Sequence, residues 1–232
     1  MRSIELIDLG VRDYKEVWDL QENYFQESIN IKIQNKNNQT HILPKNRLIF
    51  VEHPPVYTLG KSGKKENLLL NEAQLKEVGA DFYPINRGGD ITFHGPGQLV
   101  VYPLLDLEQF TPSLNSFVSS LERCVIEVCS HFHIQALPYD GYTGVWIDPQ
   151  VVGKERKICA IGLKSSRWCT MHGIAFNINT QLDYFSHMVP CGIDDKDVTS
   201  IEKEIGRKVD FEAVKNLFLE AFLKEFKVQL VS

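Results

Sequence analysis

Lys157-Ile-Cys-Ala-Ile-Gly-Leu163 and Thr170-Met-His-Gly-Ile-Ala-Phe-Asn-Ile178 are two apolar runs of strand length, parted by a short polar link. The spacing predicts two strands joined by a turn at Ser165-Ser166-Arg167. Outward from them, Thr143–Ile147 is a third strand. Leu99–Leu105, Phe82–Asn86, Val56–Leu59, Arg47–Glu52 and Ser3–Asp8 are the strands that precede it. Helical spacing of apolar residues predicts helices from Asp13 to about Ile33, over Asn71–Val78, and from Pro112 to about His131. A last helix follows an Asp210 N-cap, with Phe211, Val214, Leu217, Phe218, Ala221 and Phe222 on its apolar stripe. Gln34–Asn46, rich in Asn, Gln and Lys, is expected as an exposed loop. Strands come in clusters, without the βαβα alternation of a doubly wound sheet. The expected class is therefore α+β, a mixed, largely antiparallel sheet with helices on one side.

A chain of 232 residues fits one domain spanning 1–232, and 43% hydrophobic with 24% charged residues excludes a disordered or fibrous polymer. No apolar run approaches the ~20 residues of a membrane-spanning helix. The N-terminal stretch has neither a signal-peptide nor a transit-peptide pattern, so the expected location is the cytoplasm. A net charge of −5 argues against nucleic acid as a partner. Two basic clusters stand out locally: Lys61-Ser-Gly-Lys64-Lys65, and Lys154, Arg156, Lys157, Lys164 and Arg167 against the single acid Glu155. Each is either a solvated face or a docking patch for an acidic partner. Five cysteines without a C-x-x-C pair imply reduced thiols and no zinc motif. Cys124 and Cys129 lie on or beside a helical apolar stripe and are expected in the core.

Four places could carry chemistry. Arg87-Gly-Gly-Asp-Ile-Thr-Phe-His-Gly-Pro-Gly-Gln98 holds four glycines and a proline, so it is either a tight hairpin or a loop whose backbone approaches a ligand. It lacks the spacing of a P-loop. Arg87 and His94, bracketing the first glycines, favour the ligand-binding alternative. In the run 157–163, strand alternation places Lys157, Cys159, Ile161 and Leu163 on one face. Lys157 then either snorkels into solvent or aims into a cleft. Cys191, between Pro190 and Gly192, sits on a turn. It is an ordinary loop cysteine unless a neighbouring cation stabilises its thiolate and makes it a nucleophile. His172 by itself reads as a structural histidine, and no metal-ligand spacing is present, so no metal is expected.

Together, Arg87–Gln98, Lys157–Leu163, His172–Asn179 and Pro190-Cys-Gly-Ile193 resemble the lipoyl(octanoyl) transferases of lipoate biosynthesis. The similarity is strongest over 48–201. The resemblance implies the fold of biotin and lipoate protein ligases and a two-step acyl transfer without a cofactor. Cys191 would attack the thioester of octanoyl-acyl carrier protein and hold the octanoyl group. A lysine amine on a lipoyl domain, of a 2-oxoacid dehydrogenase complex or the glycine cleavage H protein, would then accept it. The resemblance assigns Lys157 to stabilising the thiolate. It assigns acyl binding to Arg87, Gly88, Gly89, Asp90, Ile91, Thr92, Phe93 and His94, to Ala160, Ile161 and Gly162, and to Gly173, Ile174 and Ala175. His172 would have a supporting role, and the protein would act as a monomer. Asp90 and Phe93 stand at positions that vary in the family, where Gln and Tyr also occur. Burying the seven carbons beyond the octanoyl carbonyl would contribute roughly 5 kcal/mol to holding the chain.

Three alternatives remain open in the sequence. An ATP-dependent lipoate or biotin protein ligase of this fold needs no cysteine, which Cys191 argues against. A non-catalytic acyl-binding protein would tolerate the loss of Cys191 or Lys157. A thiol hydrolase would pair the cysteine with a histidine such as His94 or His172.

Overall fold

The structure, a computed structural model, describes residues 2–110, 113–189 and 196–231. Along the chain run β1 (Arg2–Val11), α1 (Tyr14–Asn38), β2 (Arg47–Glu52), β3 (Val56–Leu59), α2 (Glu72–Glu77), β4 (Asp81–Pro84), β5 (Ile91–His94) and β6 (Gln98–Leu104). Then follow α3 (Leu114–His131), β7 (Ala136–Tyr139), β8 (Tyr142–Ile147), β9 (Arg156–Ser166), β10 (Cys169–Asn177), β11 (Asp197–Val198), α4 (Ile201–Ile205), α5 (Phe211–Phe226) and β12 (Val228–Val231). Among the described residues the main sheet has the order β12-β1-β2-β6-β10-β9-β8-β7, and β11 pairs with β9. The pairings of β1 with β12 and β2, and of β9 with β11, are parallel. The remaining pairings of this sheet are antiparallel, as the α+β reading requires. A small sheet, β4-β3-β5, stands beside it.

Helices cover both faces of the main sheet, not one. On one side, Phe117, Leu121, Val125 and Val128 of α3 and Val214, Phe218 and Phe222 of α5 pack with Leu48, Phe50, Leu99, Val101 and Phe176. On the other, Val17 of α1 packs with Ile49, Val51, Val100 and Tyr102, and Phe25 and Ile29 pack with Met171. The reason lies in the sequence: Leu48-Ile-Phe-Val51 and Leu99–Leu104 are apolar without alternation, the pattern of strands buried on both faces. Cys124, Cys129, Cys159 and Cys169 are free and buried. Burial pushes all four thiols up, to about 12 for Cys129 and about 11 for Cys169, so none is poised as a nucleophile.

Helix α1 continues five residues past Ile33, to Asn38, into the stretch expected as loop. There the Asn35 side chain donates to the Ile42 carbonyl and accepts from Thr40 Oγ1 and the Ile42 amide, so polar residues tie the following loop to the helix. The glycine-rich segment is not a self-contained hairpin. Its strand β5 joins the small sheet through β3, and Gly95-Pro96-Gly97 leads across to β6 of the main sheet. The β9–β10 turn is Arg167-Trp168, both at positive φ (49° and 62°), one residue later than expected. Pro112 lies outside the described residues, and Ser113 caps α3 through Ser116. Among the described residues no helix is long and apolar enough to cross a membrane.

Candidate functional site

A cleft of about 1130 Å³ opens between the two sheets. Strands β9 and β10 supply one wall. Their register sets Gly162 opposite Gly173 and Ala160 opposite Ala175, and all four residues line the cleft. Small residues at Ala160, Gly162 and Ala175 leave space in the cleft where other strands would project side chains, whereas a Cβ on Gly173 would meet the neighbouring strand β6.

The Arg87–Asp90 turn supplies a second wall. Gly88 donates its amide to the Leu163 carbonyl at 2.8 Å, which draws the turn against β9. A Cβ on Gly162 would lie 3.0 Å from Arg87 Cδ and 3.1 Å from the Gly88 carbonyl, so this approach depends on glycine. Arg87 is 7% exposed. Its Nη2 donates to the Thr58 carbonyl (2.9 Å) and Oγ1 (3.0 Å), and its Nη1 to the Gly88 carbonyl (2.9 Å). A buried cation thus props the turn from behind, satisfied by neutral oxygens.

Lys157 enters the cleft because of a bulge. In the β8–β9 pairing Val145 faces Cys159 and Trp146 faces Lys157, with Ile158 extra between them. The additional residue reverses the alternation. Cys159 lies in the main core and Leu163 packs against it, Ile161 packs against that core while also reaching the cleft, and Lys157, Ala160 and Gly162 line the cleft. The expected sharing of a face by Lys157 and Cys159 is therefore overturned. Lys157 Nζ lies 4.6 Å from the centre of the Trp146 ring. Among the described residues no carboxylate pairs with it, and burial pulls its ammonium down to about 8.

Polar groups close the deep end. Gln98 donates Nε2 to the Phe93 carbonyl and Asn177 Oδ1, which leaves its Oε1 facing His94 Nδ1 at 2.9 Å. His94 Nδ1 therefore carries the proton. His53 donates Nδ1–H to the Arg12 carbonyl and accepts from Tyr102 OH. His172 sits at φ 60°, its amide held by Gln21 Oε1 at 2.9 Å, while His172 Nε2 and Gln21 Nε2 have no hydrogen-bond partner among the described residues. Burial holds His94 and His172 down to about 3 and His53 to about 4, so all three are neutral near pH 7.

The structure brings most of the sequence-expected residues to this cleft: Arg87, Gly89, Asp90, Ile91, Thr92, His94, Lys157, Ala160, Ile161, Gly162, His172, Gly173, Ile174 and Ala175. Gly88 does not line it. Phe93 points away, stacked on Tyr184 at 4.6 Å within the small sheet's core. Cys191 lies outside the described residues. Trp146, Gln98, Asn177, Tyr14 and Tyr102 also line the cleft without having been singled out. The signal for Gln98 and Asn177 was their polarity at the ends of otherwise apolar strands. Two cations of the basic segment 154–167 are held in internal pairs, while Lys154 and Arg167 are exposed. Arg156 is held by Glu204 and Asp148, both at 2.6 Å, and Lys164 by Glu22 at 2.8 Å.

Residues 13–223 match the family model of the lipoyl protein ligase A/B catalytic domain. The chain belongs to that family. A protein of Christiangramia forsetii named octanoyltransferase is 48% identical over 99% of this chain and 98% of its own length. One of Bacteroides fragilis with the same name is 50% identical over 87% of this chain and 88% of its own. Among solved structures, a lipoate-protein ligase A bound with ATP superposes with a TM-score of 0.71 at 14% identity, covering 100% of this chain and 90% of that one. A biotin protein ligase from Aquifex aeolicus in complex with biotin and ATP gives 0.53 at 14% identity, covering 98% and 71%. The lipoyl protein ligase A/B fold expected from the sequence is thus the one observed.

Proposed function

We propose that this protein transfers an octanoyl group from octanoyl-acyl carrier protein to a lysine amine on lipoyl domains, by way of a thioester on Cys191. The family and its octanoyltransferase relatives make the chain an acyltransferase of lipoylation. The observation that carries the finer reading is a convergence on one cleft. Met188 and Val189, just before Pro190-Cys191, line it, as do Lys196 and Asp197 just after. Lys157 lines the same cleft.

In the first step the Cys191 thiolate adds to the thioester carbonyl, and the carrier's thiolate departs and takes up a proton. In the second, the acceptor amine adds to the new thioester, loses a proton and expels the Cys191 thiolate. A Lys157 near pKa 8 suits both steps. At pH 7 its charged form prevails by roughly ten to one and stabilises the thiolate. It is also acidic enough to exchange a proton with the acceptor amine. Thioester exchange is near balance and amide formation runs downhill, so no nucleotide is needed. The small-residue wall Ala160–Gly162 and Gly173–Ala175 supports placement of the acyl chain there, and acceptors would be lipoyl domains of 2-oxoacid dehydrogenase complexes and the glycine cleavage H protein.

Intact mass after incubation with octanoyl-acyl carrier protein, without ATP, tests this reading. One octanoyl adduct is expected, absent in Cys191→Ala and passed on to an added lipoyl domain. An undiminished adduct in Cys191→Ala, or a requirement for ATP, would overturn it.

A further inference from the structure

We infer that the loop Lys61–Lys65 is the docking edge for the acyl donor, an acidic carrier protein whose acyl arm is attached through a phosphodiester; this rests on the function proposed above. Lys61, Lys64 and Lys65 are exposed, and among the described residues no carboxylate pairs with any of them. Several cations elsewhere around the cleft are committed, Lys164 to Glu22, Arg156 to Glu204 and Asp148, and Lys196 to Glu155 at 3.8 Å, whereas Lys203, which also lines the cleft, is exposed. Of the two basic clusters in the sequence, this loop is the one whose lysines are all exposed and without a carboxylate partner among the described residues; in the other, Lys154 and Arg167 alone are.

Its position supports the same conclusion. Gly60, Lys61 and Ser62 donate their amides to the carbonyls of Asp90, Arg87 and Gly89, at 3.1, 3.0 and 3.1 Å. A Cβ on Gly60 would run into the Gly89 carbonyl, and one on Gly63 into the Asp90 carboxylate. The loop is thus stitched to the Arg87–Asp90 wall. A few residues on, Asn67 accepts the Val189 amide at 2.8 Å and donates its side-chain amide to Asp90 at 2.9 Å, while Leu69 donates to the His187 carbonyl at 2.9 Å. The second attachment is to the segment that leads into Pro190-Cys191. Ser62, between the lysines, lines the cleft itself. A protein seated on this loop would overlie the cleft and could feed an extended arm into it.

The charge carried at the reacting arm distinguishes the two protein substrates. The acceptor presents a lysine, which three exposed lysines would repel. The donor presents an acidic surface and an anionic phosphodiester, which they attract. Such a patch acts on association and weakens as salt shortens the ~8 Å Debye length.

The test is the triple variant Lys61→Glu/Lys64→Glu/Lys65→Glu, with the triple Arg variant as the charge-conserving control. Binding of holo-acyl carrier protein is followed by fluorescence anisotropy at low and physiological salt. Single-turnover acylation is measured in parallel with octanoyl-carrier protein and with octanoyl-pantetheine, which has neither protein nor phosphate. The Glu variant should bind the carrier roughly tenfold or more weakly at low salt, with a flatter salt dependence. It should react normally with octanoyl-pantetheine, and the Arg variant should bind as wild type does. Unchanged carrier binding in the Glu variant would overturn the proposal. So would an equal loss with both donors, or a loss confined to transfer onto the lipoyl domain. Carrier binding that depends on the lysines, without acylation of the wild type, would instead remove the acyl-transfer reading and leave the docking edge in place.

Discussion

Lys157 Nζ rests 4.6 Å from the centre of the Trp146 ring, and the two residues are cross-strand partners at a β-bulge. The bulge turns Lys157 from the core towards the cleft, and the indole gives its cation a neutral partner. A carboxylate there would hold the ammonium well above neutral pH. A π face stabilises the charge by about 0.5–2 kcal/mol without neutralising it. The arrangement keeps Lys157 cationic at pH 7 yet able to lose its proton within the range where thiols and amines react.

Trp146 should therefore act as a positioning residue. Trp146→Leu keeps an apolar side chain but removes the quadrupole, so the Lys157 ammonium becomes less stable and its pKa falls further below 8. The alkaline limb of the acylation pH profile should move to lower pH. Trp146→Phe, which keeps a weaker π face, should restore most of the position. If both variants lose stability but keep the wild-type limb, the ring serves packing alone.

Lys157 should also cost stability. Its pKa is lowered from 10.5 in the unfolded chain to about 8 in the fold. The native state therefore disfavours the proton that the unfolded chain binds, and the cost is complete below pH 8. It fades as the pH rises from 8 towards 10.5, because the unfolded state still binds the proton there and stability climbs with pH. Lys157→Met should unfold at higher urea than wild type at pH 7, by up to about 3 kcal/mol, while losing transfer. That gain should shrink by pH 10. A variant no more stable than wild type at pH 7 would mean that Lys157 is better solvated than its surroundings imply.

The motifs around Arg87, Lys157 and His172 were legible as one cleft because their chemistry is written in residue types: glycines beside an arginine, a lysine opening a strand, a histidine beside a glycine. The facing of Lys157 was not, since strict alternation puts it beside Cys159 and nothing in Lys157-Ile-Cys-Ala announces an extra residue. Helix α1 over the second face was recoverable from the unbroken apolar runs of β2 and β6, which alternation-based reading passes over. Trp146 and Tyr102 escaped because a buried aromatic in a strand has a sufficient role in packing. Their part in the site depends on which strands become neighbours, a long-range property that local pattern does not contain.

Glycine at 173 should be less replaceable than glycine at 162. A Cβ at Gly173 would drive into the Val101 carbonyl and lie 2.7 Å from Pro103 Cδ, both parts of the neighbouring strand β6. At Gly162 the obstacle is the flexible Arg87 side chain at 3.0 Å and the Gly88 carbonyl at 3.1 Å. Gly173→Ala should lower stability by about 1–3 kcal/mol, the usual cost of overpacking. Gly162→Ala should stay nearer wild type in melting temperature yet bind the octanoyl chain more weakly, seen as a higher KM for octanoyl-pantetheine. Equal melting temperatures for the two variants would contradict this ordering.

His53, His94 and His172 should not titrate between pH 5 and 8. Burial holds His94 and His172 near 3 and His53 near 4, and the buried Arg87 pushes the first two in the same direction. The pH dependence of acylation near neutrality should then belong to Cys191 and Lys157. His172→Asn tests this cleanly, because Asn tolerates the left-handed φ of 60° and leaves in place the hydrogen bond that the backbone amide donates to Gln21 Oε1. The variant is expected to keep the wild-type acid limb of kcat/KM against pH, whatever its absolute rate. Loss of that limb in His172→Asn would make His172 the titrating base and return the site to a cysteine–histidine pair. Loss of the alkaline limb in Lys157→Ala, with the acid limb kept in His172→Asn, would leave the proton with the lysine.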